Sequence, residues 1–525
     1  MGQLLYLYAK KYKKKIVSLF SLTLLLSVSF YLISLCLFVF YNNDFSIIDK
    51  VVYAILILSI SYWSMHSVGY LDHFTKSILI YQPQIIDKSS INEILPSKVA
   101  IFIPIYNENP ELVEANIAAT KKIYYTNFEI FLLDDSNDNI IKKQLLNLAK
   151  KYNIHYIYRT NRRGYKAGAI NDAVNNLEND IKYILILDVD HCPKPDILIE
   201  IIPHFEADTA IAFIQTPQYF TSERKNNLSV AYSIQQHIFH KHVCRGLNSN
   251  QGVFMCGTNM IVRVDHLKEI GGMNETCITE DIATSFIFHS KGYKSLYLDK
   301  IYAEGIPPPS LSAYYTQQIR WGYGTIQNLK KVLIIFLRNP KSLKPIQWWE
   351  YIMINGTWYF SGWTLLIWLI YPIVILLFGV RPLILDVINI PFLIFAGMIG
   401  CQILTSRYER SYRIRDIFIS QGLFFSLFPI YIHASLLVLT GKRLEFMVTP
   451  KQRTNVIKFS QLYPQLFILV LLIISIIIGF RRMTMEKTIT YDIYIIISWA
   501  IYSTIALLCM FYFFYFEDIQ KSKGK

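Results

Sequence analysis

An α/β domain inserted between transmembrane α-helices, in a multi-pass membrane protein, is the fold class the sequence predicts. Three observations carry that reading. The 525-residue chain is 53% hydrophobic and only 17% charged, against about a quarter charged in an ordinary soluble domain. The deficit is concentrated in uncharged segments long enough to cross about 30 Å of hydrocarbon. Between those segments, residues 97–328 change character. Short β-rich runs there alternate with helical stretches, the pattern of a mostly parallel sheet with helices on both faces.

The first unit, residues 1–96, opens on Lys10, Lys11, Lys13, Lys14 and Lys15 and the apolar run Ile16–Phe40. That run is too long for the apolar core of a signal peptide, and no clear small-residue cleavage site follows, so it reads as a retained helix. A loop at Asn42–Asp44 leads to a second span, Val51–Leu71. Two crossings return the chain to the lysine-rich side, which the positive-inside rule makes the cytoplasmic face of the cell membrane. Within 97–328, Val99–Ile103, Glu129–Leu133, His155–Tyr158 and Tyr183–Leu187 read as strands. Glu111–Ile123, Ile140–Tyr152 and Tyr165–Leu177 read as the helices between them.

Residues 329–353 read as an interfacial helix region. In 354–404, Ile354–Phe378 and Pro382–Leu404 form a predicted hairpin of two spans, followed by Arg407, Arg410, Arg413 and Arg415 on the cytoplasmic side. In 405–462, Gln421, Pro429 and His433 interrupt the run Ile417–Thr440. An interfacial or re-entrant helix is therefore preferred there over a span. Residues 463–525 hold two last spans, Leu466–Phe480 and Asp492–Phe516, and a short cytosolic tail. Arg481, Arg482 and Lys487 then fall in an external loop, which counts against this topology.

The formal charge of +14 sits beside apolar segments, where it matches anionic lipid. No basic recognition helix or stacking module is present, so nucleic acid is excluded as a partner. The seven cysteines, Cys36, Cys192, Cys244, Cys256, Cys277, Cys401 and Cys509, have no CxxC spacing. They fit a reducing compartment and neither a disulfide framework nor a zinc site.

Four clusters carry chemistry. Asp188-Val189-Asp190, followed by His191, ends an apolar strand, and two carboxylates there both reach one hard divalent cation such as magnesium. Such an ion neutralises charge developing on a diphosphate. Asp134-Asp135 also follows a strand, where a carboxylate accepts hydrogen bonds from a nucleobase or ribose, or makes an ordinary Asx turn. Both clusters fall at the rim where such sheets bind ligands. Thr279-Glu280-Asp281 opens a helix; Thr279 reads as its N-cap, and a carboxylate at a helix start also serves as a general base. Gln317-Gln318-Ile319-Arg320-Trp321 places Gln317, Arg320 and Trp321 near one helix face. There an Arg suits diphosphate and an indole suits a sugar ring.

In this order the clusters resemble processive, membrane-integrated family 2 inverting glycosyltransferases, most of all bacterial cellulose synthase catalytic subunits and related β-glucan synthases. The resemblance covers most of the chain and implies a GT-A-like nucleotide-sugar domain. It implies donor binding by Tyr106 and Glu108 in Ile103–Glu108, by Asp134, by Lys166 in Lys166–Asn171, and by Asp188, Gln317 and Arg320. Asp188, Asp190 and His191 match the DxDH metal motif, for Mg2+ with Mn2+ as a substitute. Gln215–Gln218 looks like the QTP segment. Cys256, in Phe254–Asn259, and Trp321 match the acceptor end, and Asp281 matches the TED base. Phe446–Lys451 resembles the FxVTxK gating loop, which adds Thr449 and Lys451 to the donor site and keeps Ile417–Thr440 in the interface.

The resemblance implies polymerisation of a nucleotide sugar, UDP-glucose, into a β-glucan, and export of the growing polysaccharide across the plasma membrane, with accessory export subunits as candidate partners. Two departures matter. Only two spans precede the domain, a start also seen in hyaluronan-type synthases. No PilZ domain follows, so control by cyclic di-GMP is not expected. The alternatives are a hyaluronan-like, chitin-like or poly-N-acetylglucosamine synthase, and a non-processive lipid glycosyltransferase.

Overall fold

A computed structural model describes residues 2–82, 96–220, 226–380, 389–444, 459–485 and 491–522. The central domain holds ten strands: β1 (Lys98–Ile105), β2 (Phe128–Asp134), β3 (His155–Tyr158), β4 (Ile181–Ile186), β5 (Cys192–Pro193), β6 (Ile211–Gln215), β7 (Tyr219–Phe220), β8 (Met260–Arg263), β9 (Lys294–Tyr297) and β10 (Ala303–Gly305). Seven of them form one sheet in the order β3-β2-β1-β4-β8-β6-β9, and β5-β10-β7 form a second, small sheet.

The first half of the large sheet is parallel, as the strand–helix alternation predicts. Among the described residues the sheet is mostly parallel, as expected, and β8 is the exception. β8 runs antiparallel to both β4 and β6, while β6 and β9 pair in parallel. A strand entered directly from the Phe254–Asn259 loop reaches β4 from its carboxyl end, so it must run antiparallel.

Both faces are covered, and β1 shows how. Ala100 and Phe102 point into one core with Ile184 and Ile186. Val99, Ile101 and Ile103 point into the other with Tyr183 and Leu185. A strand buried on both faces is apolar throughout rather than alternating. The helices between the strands start on side-chain caps: Asn109 caps Pro110–Thr120, and Asp138 caps Asn139–Tyr152. The carboxyl ends of β1, β2 and β4 therefore open on the same edge, beneath Tyr106, Asp135 and Asp188.

Among the described residues six helical segments are long and apolar enough to cross a membrane. They are Tyr12–Tyr41, Ile47–Leu79, Pro345–Phe378, Ile414–Leu439, Phe459–Met485 and Asp492–Phe513. The count equals the predicted one, but the membership differs. The predicted span Pro382–Leu404 lies partly outside the described residues, and the helix Asn389–Arg410 that holds its described part is not among the six. Its last two turns carry Thr405, Ser406, Arg407, Glu409 and Arg410.

Ile414–Leu439 is among them, and it is broken. Two 12-residue helices, Ile414–Phe425 and Phe428–Leu439, meet at Ser426 and Leu427. Pro429 sits in the first turn of the second helix, where its missing N–H is tolerated, but it prevents the first helix from running on. The freed Ser426 carbonyl accepts a hydrogen bond from Gln465 Nε2 at 2.9 Å. Both pieces touch the catalytic domain: Ser420 Oγ donates to the Ala231 carbonyl, and Tyr431 Oη donates to Gln318 Oε1.

Candidate active site

One cleft lies along the carboxyl edge of β1, β2 and β4. Its walls include Tyr106, Glu108, Lys166, Asp188, Asp190, His191, Cys256, Asp281, Gln317, Arg320 and Trp321. Eleven of the fourteen residues singled out from the sequence thus meet in one place. Thr449 and Lys451 lie outside the described residues.

Asp134 is the exception. It is fully buried, its Oδ1 accepts the Ser136 amide, and its Oδ2 accepts the Tyr156 hydroxyl. Its neighbour Asp135 lines the cleft instead. Asp134 is still part of the sheet, paired with Ile105 of β1 and Tyr158 of β3, and its carboxylate is used up in closing that edge.

The Asp188–His191 turn leaves β4 and is held from behind. The fully buried Asn116 donates from Nδ2 toward the carbonyls of Asp188, Val189 and His191 at 2.9–3.2 Å. Thr258 Oγ1 accepts the Asp188 amide at 2.9 Å. Ligand atoms of Asp188, Asp190 and His191 lie within 4.8 Å of one another. Neither ring nitrogen of buried His191 has a hydrogen-bond partner among the described residues. The ring lies against Gly305, where a Cβ would stand 2.5 Å from Nε2.

Two carboxylates and an unengaged imidazole suit magnesium or manganese. The charge balance supports the same conclusion. Glu108, Asp135, Asp188, Asp190, Glu280 and Asp281 share the cleft with Lys166, Arg162 and Arg320, and even with Asp135 paired to Arg159 this acidic surplus by itself disfavours a diphosphate. Asn116→Ala is expected to leave the fold intact and raise the metal concentration needed for half-maximal activity several-fold, read by a magnesium titration. An unchanged titration would show that Asn116 does not hold this turn.

Lys166 follows a tight turn and reaches across the cleft. Its Nζ donates to Asp188 Oδ1 at 2.5 Å and to the Gly257 carbonyl at 2.7 Å. Burial works against its charge, but Asp188 and Glu280 outweigh burial and raise its pKa.

Asp281 sits in the first turn of the helix Glu280–Ser290, and its Oδ1 accepts the Ile282 amide at 2.8 Å. Burial first, and then the neighbouring Glu280 carboxylate, push Asp281 up to about 7. A carboxylate poised near neutral pH is the form a general base needs. Gly257 faces it from the acceptor loop, with φ +85° and a virtual Cβ 3.3 Å from Asp281 Oδ2. Only glycine adopts that backbone freely and leaves that room.

Thr279 occupies the N-cap position as expected, but its side chain makes no capping hydrogen bond. It turns instead toward the helix Leu311–Arg338, where a Cβ at Gly324 would lie 2.7 Å from the Thr279 backbone nitrogen. The two helices that carry Asp281 and Arg320 therefore touch backbone to side chain at this point.

The QTP segment has a mechanical role. Gln215 Oε1 accepts the Cys256 amide at 2.7 Å, and Gln218 Nε2 donates to the Cys256 carbonyl at 2.8 Å. Both glutamines thus fix the main chain of the Phe254–Asn259 loop at Cys256. The sequence reading held Asp135 and Glu280 in its clusters without giving either a role, and it missed Arg162 and Tyr232 as cleft residues. Only Asp135 and Glu280 had a usable signal, as acids adjacent to chosen ones.

Comparison with known proteins agrees with this geometry. Residues 183–406 match the protein family described as Glycosyl transferase family group 2. That stretch, less than half of the chain, carries a glycosyl transferase family group 2 domain. Over 323 residues it is 28% identical to a cellulose synthase catalytic subunit (UDP-forming) from Pseudomonas fluorescens, covering 60% of this chain and 42% of that one. Over 261 residues it is 29% identical to glucomannan 4-beta-mannosyltransferase 1 from rice, Oryza sativa subsp. japonica, covering 46% and 48%. The chain thus spans less than half the length of either relative. The solved mannosyltransferase PcManGT from Pyrobaculum calidifontis, in complex with GDP-Man and Mn2+, superposes with a TM-score of 0.50 at 15% identity. That superposition covers 74% of this chain and all of the other. It shows the fold alone: the glycosyltransferase domain is GT-A-like.

Proposed function

We propose that this protein is a processive inverting glycosyltransferase that polymerises UDP-glucose into a β-glucan and passes the product through its membrane helices. The observation that carries the reading is the meeting, in one cleft, of a carboxylate poised near pH 7, a two-carboxylate and imidazole cluster, and the Gln317, Arg320 and Trp321 face of one helix.

In this mechanism the nucleoside diphosphate lies along the strand edge between Tyr106 and Lys166. Arg320 faces the carboxylates Glu280, Asp188, Asp281 and Asp190, and its guanidinium binds the diphosphate where those charges converge. Asp188, Asp190 and His191 would hold a divalent cation, which would supply charge neutralisation for the diphosphate. Trp321 stacks on the terminal sugar of the acceptor. Asp281 takes the proton of the acceptor hydroxyl as its oxygen bonds to the anomeric carbon. The bond from that carbon to the diphosphate breaks on the opposite side. An α-linked donor thereby becomes a β-linked product.

Export is supported by aromatic rings among the membrane helices. Trp63 stands 6.4 Å from Trp358 and 6.3 Å from Trp368, and Trp368 stands 4.6 Å from Trp499, centroid to centroid. Trp63 is buried in this cluster, so sugar stacking falls to the half-buried Trp358, Trp368 and Trp499. We place the catalytic domain in the cytosol at the plasma membrane, with Ile417–Thr440 in the interface. That segment is broken into two helices of about 18 Å each, and both halves hydrogen-bond to the catalytic domain.

A second reading is transfer of mannose, favoured by the rice glucomannan mannosyltransferase relative. The test is incubation of the reconstituted protein with single nucleotide sugars, followed by digestion of the product with linkage-specific glycanases. Turnover of UDP-glucose into a product cut by β-glucanases is expected. Turnover of GDP-mannose alone would replace the first reading with the second.

A further inference from the structure

We infer that Arg159 is a positioning residue that sets two donor-binding side chains at once, Asp135 toward the nucleobase and Lys166 toward the diphosphate. The inference rests on the donor site proposed above and assigns it a part that the motifs do not contain.

Arg159 is the first residue past β3, and its side chain is 7% exposed. Its Nε donates to Asp135 Oδ1 at 2.7 Å, and its Nη2 donates to Asp135 Oδ2 at 2.6 Å. The remaining N–H groups reach three further acceptors: Asp172 Oδ2 at 3.0 Å, the Arg163 carbonyl at 3.1 Å and the Tyr165 carbonyl at 2.8 Å. A guanidinium has five N–H donors in a fixed fork, and here five bonds use them. They join three pieces of chain: the end of β2, the turn at Arg163–Tyr165, and the helix Tyr165–Asn175.

Each piece carries a cleft residue. Asp135 lines the cleft, and the fork fixes the plane of its carboxylate. A carboxylate accepts up to about four hydrogen bonds, so capacity remains for the N–H of a base. Lys166 follows the gripped Tyr165 carbonyl directly. The turn that delivers it holds two successive left-handed residues, Gly164 at φ +64° and Tyr165 at φ +50°. A left-handed tyrosine needs outside support, and the Arg159 bond to its carbonyl supplies it. Gly168 completes the fit: a Cβ there would lie 2.8 Å from Arg159 Nη1 and 1.9 Å from the Arg163 carbonyl. The same guanidinium therefore sets the spacing between the base end and the phosphate end of the site.

The test compares UDP and inorganic pyrophosphate, each with magnesium, by calorimetry on the full-length protein in nanodiscs. Pyrophosphate has no base and samples only the Lys166 end. Asp135→Asn is expected to weaken UDP by about tenfold and to leave pyrophosphate unchanged. Arg159→Lys keeps the charge but not the fork, and is expected to weaken both ligands. The double variant Asp135→Asn with Arg159→Lys is expected to bind UDP no more weakly than Arg159→Lys alone, because the two residues act as a unit. Asp172→Asn, which removes one arm and leaves Asp135 gripped, is expected to weaken both ligands by one common factor.

Wild-type affinity for UDP and pyrophosphate in folded Arg159→Lys, or additive losses in the double variant, would overturn the inference. A fall in melting temperature alone, with both affinities kept in the folded protein, would assign Arg159 a purely structural role and overturn it as well. Failure of the unmodified protein to bind UDP or GDP would overturn the donor-site reading itself, and the inference with it.

Discussion

Asp281→Asn lowers polymer synthesis by about 10²–10⁴-fold while UDP binding stays near the unmodified level. The asparagine keeps the size of the side chain and its place at the start of the helix Glu280–Ser290, but it cannot take a proton. Glycosyl transfer rates and UDP calorimetry on the same preparation separate the two effects. Retained synthesis would remove Asp281 as the base.

The pH dependence of the unmodified enzyme follows from the same residue. Asp281 faces the carboxylate of Glu280, the cations Lys166 and Arg320, and the phenol of Tyr359. Burial and Glu280 raise it to about 7, so below that pH the base is protonated and idle. The rate is expected to rise about tenfold per pH unit up to about 7 and then level off.

Stability runs the other way. The folded pKa lies above the unfolded value near 4, so between those values the folded state binds more protons. Its stability therefore falls as pH rises through this window. Asp281→Asn should then melt higher than the unmodified protein at pH 8, and the gain should shrink toward pH 4. A site that weakens the fold at its working pH is the usual signature of function over stability.

If the proposed metal site is right, removing divalent cations is expected to stop synthesis. With EDTA present, the diphosphate would meet Glu108, Asp188, Asp190, Glu280 and Asp281, opposed by too few cations, and both donor binding and leaving-group departure would suffer. Asp190→Ala is expected to act in the same direction, with a loss on the order of 10³-fold or more. Asp190 is buried, so its loss is not made good by water. Lys166 explains why this assignment is separable from a salt-bridge role. It pairs with Asp188 and not with Asp190, so Asp190→Ala leaves that pair standing. Undiminished synthesis after chelation, checked by metal analysis of the protein, would dissociate Asp188, Asp190 and His191 from catalysis.

Much of this site was legible before any coordinates, for a physical reason. Several of the residues proposed to do chemistry sit directly after strands β1 and β4 and at one helix start, and strand patterns in a two-sided core are strong. β1 and β4 are apolar throughout, and their ends fix Tyr106 and Asp188. Asp134 and Asp135 show the limit. Adjacent residues at a strand end point to opposite sides, and sequence alone does not say which side is the cleft. Arg159 was invisible for a different reason. Its partners lie 24 residues before it and up to 13 residues after it, and no local pattern announces a side chain that joins three segments.

The antiparallel β8 and the broken helix Ile414–Leu439 also escaped the sequence reading. The first depends on where a loop re-enters the sheet. The second depends on Gln465 being present to satisfy the Ser426 carbonyl. In contrast, the capping expectation at Thr279 failed through a tertiary contact, the close approach of Gly324.

The most direct test of the account is product length at low turnover. Purified protein in lipid is given UDP-glucose and stopped when only a small fraction of donor has been consumed, and the products are sized by gel permeation. A processive synthase yields long β-glucan beside unused donor from the earliest time points. A ladder that grows from single-sugar products, or a glycolipid carrying one glucose, would contradict the coupling of synthesis to export.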